Sequence, residues 1–303
     1  MRALGQSLRR AKWLVLCSLM VAATGARAEV FGGPVADARW ELDASIFECR
    51  LSHSIPRFGE AVFARRAGES QRFVLRQNNR FLATGEARVR VEHPVWRETA
   101  SAEPLGPVEV QLGAQAVTTD WRYSQRLAAE LREGRRLVFT REPWHSRETP
   151  VEVIVAPVGF RAGIDAFHAC LQDLLPVNFD QVERTSLSFP KGARELPEEE
   201  VEKLEPVLLY AQADRRVDRV YVDGHTDGVG LRAENLELSR ERAEMVTEYL
   251  VDRGIPERQI TTRWHGERYP VATNQTAEGR EENRRVTIRL ERSGQSTTTA
   301  RAP

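Results

Sequence analysis

The residue types that could do chemistry in this chain cluster in Asp223-Gly224-His225-Thr226-Asp227-Gly228-Val229-Gly230 and the Asn235, Leu238, Ser239, Arg242 and Ala243 that follow. Asn235, Ser239 and Arg242 are spaced i, i+4, i+7 and so share one face of a helix. Glycines in the preceding loop let its backbone approach a ligand closely. This spacing predicts Asp227 beside Arg242, a carboxylate beside a guanidinium. Such a pair suits a zwitterion, because Arg grips a carboxylate through a bidentate fork while Asp accepts from an ammonium. The helix N-terminus adds donors for a second carboxylate. The same two residues read equally well as a plain structural ion pair under a solvated loop.

Catalysis finds less support. His225 has no nucleophile beside it in sequence. His53, His93, His145, His168 and His265 are scattered without zinc-type spacing. Ser186, Ser188 and Ser239 lack a Gly-x-Ser-x-Gly context. Asp223-Gly224 lacks the regularly spaced oxygen ligands of an EF-hand. The reading is a binding protein rather than an enzyme, with no cofactor and no metal.

Positioning these residues requires a strand, Val217 to Val222, delivering the loop, and a helix, Asn235 to Arg253, closed by Gly254. Thr185 to Phe189 reads as a preceding strand and Pro197 to Asp214 as a helix, with Pro197 near its first turn. Ile260 to Trp264 and Arg285 to Leu290 read as strands. The order βαβαββ predicts an α/β sandwich over 179–292, with helices on one face. The text before it differs. Period-two alternation marks Arg88 to Glu92, Val108 to Leu112 and Val151 to Val155. Phe73 to Leu75 and Leu137 to Phe139 are shorter strands, and a helix spans about Tyr123 to Arg132. Residues 29–178 thus form a β-rich barrel or sandwich with short helices, and the fold class is α+β. A helix carrying Ile164, Phe167, Cys170, Leu171 and Leu174 closes it.

The first 28 residues read as a secretory signal: Arg2, Arg9, Arg10 and Lys12, the eleven-residue apolar run Trp13 to Ala23, then Ala26-Arg27-Ala28. A membrane-spanning helix would need roughly 20 apolar residues. Leu16 before Cys17 argues against lipid attachment. The five basic residues of the leader leave 39 basic against 44 acidic residues, a net −5. That acidic balance offers no footprint for nucleic acid. The remaining cysteines, Cys49 and Cys170, are even in number in an exported chain, which favours a disulfide over two buried thiols. The polar stretch 293–303 reads as a disordered tail.

Gly224-His225-Thr226-Asp227, then Asn235-x-x-Leu238-Ser239-x-x-Arg242-Ala243, resembles the signature of OmpA-like peptidoglycan-binding domains. Gly266-Glu267-Arg268-Tyr269-Pro270 and Asn283-Arg284-Arg285-Val286 match further motifs of that family. The resemblance covers about Ser186 to Leu290. It implies that Asp227 holds the amino group, and Arg242 the carboxylate, of diaminopimelate in a peptidoglycan stem peptide. Asn235, Asn283 and Arg284 are implied as accessory binding residues.

The first half is similar to the MotY family of flagellar motor accessory proteins. The segments Cys49 to Phe63, Trp144-His145-Ser146-Arg147 and Ala166 to Leu175 carry that likeness. It implies a periplasmic adaptor at the flagellar basal body, anchoring or stabilising stator units, with a MotX-like partner. The rivals are a general outer-membrane or periplasmic wall tether without a flagellar role, and a wall enzyme with an OmpA-like anchor. A transmembrane barrel would need strands of about 9–11 residues with an apolar outer band, which the frequent Arg in both phases opposes.

Overall fold

Alternating apolar residues in the first half become strands of one sheet. The computed structural model describes residues 28–32, 38–93, 102–145 and 149–294. The expected signal sequence and tail therefore lie almost wholly outside the described residues, as do Ser146 and Arg147. The strands are β1 (Glu29–Phe31), β2 (Trp40–Ala44), β3 (Glu48–Ile55), β4 (Gly59–Arg66) and β5 (Arg72–Gln77). Then come β6 (Gly85–Glu92), β7 (Glu103–Val110), β8 (Gln115–Thr118), the helix α1 (Trp121–Arg132), β9 (Arg136–Arg141) and β10 (Val151–Val155). They form a ten-stranded sheet in the order β1-β10-β9-β6-β7-β8-β5-β4-β3-β2. Among the described pairs of this sheet only β1–β10 is parallel. Its main core draws residues from both ends of the sheet, and Val62, Ala64 and Val74 form a separate small cluster.

Helix α2 (Phe160–Gln172) covers that core with Phe160, Ile164, Phe167 and Cys170. Full burial of each Phe contributes about 1.5–3 kcal/mol. The helix lies tight on the sheet because Gly163 has no side chain: a Cβ there would stand 2.9 Å from Leu51 Cδ1. Cys170 is joined to Cys49 of β3 in a disulfide, with a Cα–Cα distance of 6.1 Å. Phe58 and Phe63 are fully buried in the core.

The second half has its own core. Its elements are α3 (Phe179–Val182), β11 (Arg184–Ser188), α4 (Glu198–Val201), α5 (Leu204–Ala213), β12 (Val217–Gly224) and α6 (Arg232–Asp252). After them come β13 (Ile260–Trp264), α7 (Ala277–Asn283) and β14 (Arg285–Arg292). The sheet order is β11-β14-β12-β13, with β12 and β13 parallel across the α6 crossover. Helices α5 and α6 bury one face. The helix expected over Pro197–Asp214 is two helices. Pro206 stands in the first turn of α5, where its missing N–H cannot bond Glu202 and its ring crowds that carbonyl, so the chain breaks at Glu202–Lys203. Pro197 is the N-cap residue of α4 rather than a member of its first turn. Helices α3 and α7 are too short to show a period in the sequence. Each is set by a cap, Asn178 bonding Gln181 N and Thr276 bonding Gly279 N.

Polar and aromatic contacts join the halves. Asn178 Nδ2 donates to the Ala67 carbonyl at 3.0 Å, Arg66 pairs with Asp180 at 3.1 Å, and Phe47 packs on Tyr210. No described helix is long and apolar enough to cross a membrane.

Candidate functional site

At the end of β12 the chain must pass directly under α6, and Gly224 permits it. A Cβ on Gly224 would fall 2.1 Å from the Ser239 carbonyl oxygen. This contact turns the Asn235, Ser239 and Arg242 face of α6 onto the loop, and all three are buried. Two of them tie loops together. Asn235 Nδ2 donates to the carbonyls of Asp227 (3.3 Å) and Val229 (3.2 Å) and to Glu267 Oε2 (3.0 Å). Ser239 Oγ accepts from Gly266 N at 3.0 Å. Thr226 N reaches the Gly266 carbonyl at 3.0 Å. The Gly266 loop and the Asp227 loop are thereby fixed to one helix.

Asp227 is buried, its Oδ1 accepting from Val229 N at 3.1 Å. Its Oδ2 accepts from Arg284 Nη1 at 2.9 Å, and the two side chains are 10% and 13% exposed. The direct partner of Asp227 is thus Arg284, where the spacing had predicted Arg242. The reason is that Arg242 is held by main-chain oxygens. Its Nε donates to the Ala193 carbonyl at 2.8 Å and its Nη2 to Pro190 at 3.3 Å, and its guanidinium lies over Phe189 at 4.7 Å. Arg242 is fully buried, and its Nη1 has no partner among the described residues. Burial, then the nearby Arg284 charge, pushes its pKa down to about 10, against the pull of Asp227. Two guanidiniums therefore face one carboxylate in a desolvated place. The arrangement is one negative charge short, and the free Nη1 is a donor awaiting an acceptor. An ionised carboxylate has about four acceptor positions, and Asp227 uses two here, which leaves room for an ammonium.

Asn283 is a clamp. Its Oδ1 accepts from Val271 N (2.8 Å) and Ala272 N (3.1 Å), and its Nδ2 donates to the Ala272 carbonyl and Asn274 Oδ1. Asn274 Oδ1 in turn accepts from Gly228 N at 3.0 Å, tying the 271–274 loop to the Asp227 loop. Asn274 and the Pro190–Ala193 carbonyls escape sequence reading. Carbonyl oxygens occur at every residue, and Asn274 stands 46 positions from its partner.

His225 is buried and stacks on His265 at 4.9 Å between ring centroids, and its Nδ1 has no partner. Burial, then the charges of Arg285 and His265, pushes its pKa down to about 4, so the ring is neutral near pH 7. His265 Nε2 contacts Asp223 Oδ1 at 2.8 Å. Among the described residues no group of three or more His, Cys, Asp or Glu is placed to hold a metal ion.

Two family models match the chain. Residues 31–176 match the family model described as the MotY N-terminal domain, and 188–284 match that of the OmpA family. The sodium-type flagellar protein MotY of Vibrio parahaemolyticus is 30% identical over 295 residues, covering 93% of this chain and 98% of that protein. Outer membrane protein A of Bordetella avium is 44% identical over 82 residues, 26% of this chain and 42% of that protein. The peptidoglycan-binding protein ArfA of Mycobacterium bovis is 46% identical over 70 residues, 23% of this chain and 22% of that protein. The last two likenesses span less than half of those relatives.

Proposed function

This chain belongs to the MotY family, and on that footing we propose that it is a non-catalytic periplasmic adaptor of the flagellar basal body. It anchors or stabilises stator units by holding peptidoglycan in its second half. Stator units push on a rotor and need a fixed support, and the wall is the stiff layer available. The observation that carries the wall-binding role is the buried Arg242 with its unpartnered Nη1, set near the Asp227–Arg284 pair. A ligand carboxylate on Arg242 would supply the missing charge, and Asp227 would accept from the ligand ammonium. The diaminopimelate of a stem peptide carries both groups on one carbon. Asn235 and Asn283 serve this site by holding its loops, and Arg284 by orienting Asp227. The first half is the part that meets motor partners, a MotX-like protein among them.

Co-sedimentation with purified sacculi tests the wall site. Asp227→Ala strands the ligand ammonium and Arg242→Ala its carboxylate, and each costs about 2–5 kcal/mol of binding in a desolvated pair. If both variants fold and sediment like the parent, the assignment is wrong. The flagellar role is tested by locating a fluorescent fusion: foci at the basal bodies support it, and an even envelope signal supports a general tether instead.

A further inference from the structure

A groove of about 730 Å³ lies on the open face of the C-terminal sheet, opposite α5 and α6. The register builds it in rungs. Arg184 stands beside Arg289, and Arg289 beside Tyr221. Ser186 stands beside Thr287, then Asp223, then Arg263, and Ser188 stands beside Arg285. These positions alternate along their strands with the core residues Leu187, Val222, Val286 and Ile288, so they share the outward face.

The charges on this face are unequal. Arg263 forks onto Asp223 at 2.7 and 2.8 Å, and Arg289 pairs with Glu291. The guanidiniums of both lie over the Tyr221 ring, at 4.8 and 4.3 Å. Among the described residues Arg184 has no ion pair. Arg285 is only 8% exposed yet meets no carboxylate, and its contacts are the carbonyls of Asn283 (3.4 Å) and Tyr269 (3.2 Å). Beside it, His225 lines the groove with its unpartnered Nδ1. Glu282 is the acidic residue at the rim. The face thus holds cationic donors in excess, on a molecule whose sequence after residue 28 carries 39 basic and 44 acidic residues. An anionic partner is repelled elsewhere and steered here, which gives specificity as well as association rate.

The spacing selects the kind of anion. A phosphate-sized ion would occupy one guanidinium. Here Arg184 and Arg289 lie on adjacent strands about 4.8 Å apart, and Arg285 lies two rungs, about 13 Å, from Arg289 along β14, a spread that an extended polypeptide can span and a small ion cannot. We propose that this open sheet face docks an acidic polypeptide segment of a partner protein, with carboxylates seated on Arg184 and Arg285 beside the Glu291-paired Arg289. This surface borders the wall site through His225, Val271 and Arg285, but its charged rungs on β11 and β14 include neither Asp227 nor Arg242.

The test is fluorescence anisotropy of the full mature chain with a labelled twelve-residue peptide of alternating Glu and Ser. Arg184→Glu combined with Arg289→Glu is expected to weaken binding at least tenfold while sacculus binding stays within twofold. Ser186→Trp fills the groove without changing its charge and is expected to weaken the peptide at least fivefold. Asp227→Ala is expected to leave the peptide unaffected. Equal binding by the charge-reversed variant overturns the proposal. So does unchanged binding by Ser186→Trp, which would mean diffuse attraction only, or displacement of the peptide by millimolar inorganic phosphate, which would mean a simple anion site.

Discussion

Asp227, Arg242 and Arg284 form a cluster with one more positive than negative charge, and each responds differently to substitution. Arg242→Lys keeps the charge but loses the fork that spans the Ala193 and Pro190 carbonyls. Sacculus binding is expected to fall at least tenfold, which a co-sedimentation titration would read. Retention of binding would show that charge alone suffices there. His225 gives a pH prediction. Its folded pKa is about 4 against an ordinary 6.5. Between those values the unfolded chain takes up the proton first, so His225 favours the folded state fully above pH 6.5 and loses that contribution as pH falls toward 4. His225→Asn is expected to flatten the fall of the melting midpoint over that window. An unchanged slope would assign the acid sensitivity to other groups.

The proposed wall site depends on the close seating of α6 on β12. Gly224→Ala would drive a methyl group into the Ser239 carbonyl at 2.1 Å, and neither backbone can yield without lifting α6 from β12. Overpacking of this kind costs about 1–3 kcal/mol or more. Gly192 supplies the contrast. Its φ is +73°, but nothing lies within 4 Å of an added Cβ, so Gly192→Ala costs only about 1 kcal/mol of backbone strain. Urea midpoints of the two variants should rank in that order, and sacculus binding should fall only for Gly224→Ala. A reversed ranking would mean that α6 is not seated by this contact.

Across the whole molecule the Cys49–Cys170 disulfide joins β3 to the last helix of the first half, across a sequence separation of 121. Closing so long a loop contributes up to about 4–5 kcal/mol in the chain-entropy model. Cys49→Ser is expected to lower the melting midpoint of the first half and the level of the protein in cells. Thiol titration of the denatured, unreduced mature protein is expected to find none, and two titratable thiols would refute the pairing. The halves meet through the buried Asn178–Ala67 hydrogen bond, the Arg66–Asp180 pair and Phe47 packed against the second core, but the second half has its own core and sheet. Loss of the disulfide is therefore expected to leave the second half folded and bound to sacculi. A joint collapse of both halves, followed by differential scanning calorimetry, would show instead that they fold as one unit.

Local pattern determined much of this protein. Period-two alternation located Val151–Val155, helical spacing placed Cys170 on a buried face, and residue types at fixed intervals picked out Asp227, Asn235 and Arg242, while Asn283 and Arg284 came only from the family resemblance. Those signals are readable because side-chain direction repeats every two residues in a strand and every 3.6 in a helix. The break at Glu202–Lys203 was also written in the chain, as Pro206. Tertiary structure alone decided which charge meets which. Arg284 lies 57 residues from Asp227, and Arg242 is claimed by carbonyls 49 and 52 residues away. No local period encodes such contacts. They arise from the sheet order β11-β14-β12-β13, which sets β14 between β11 and β12 and so brings Arg284 and the turn after β11 to the same end of the sheet as Asp227.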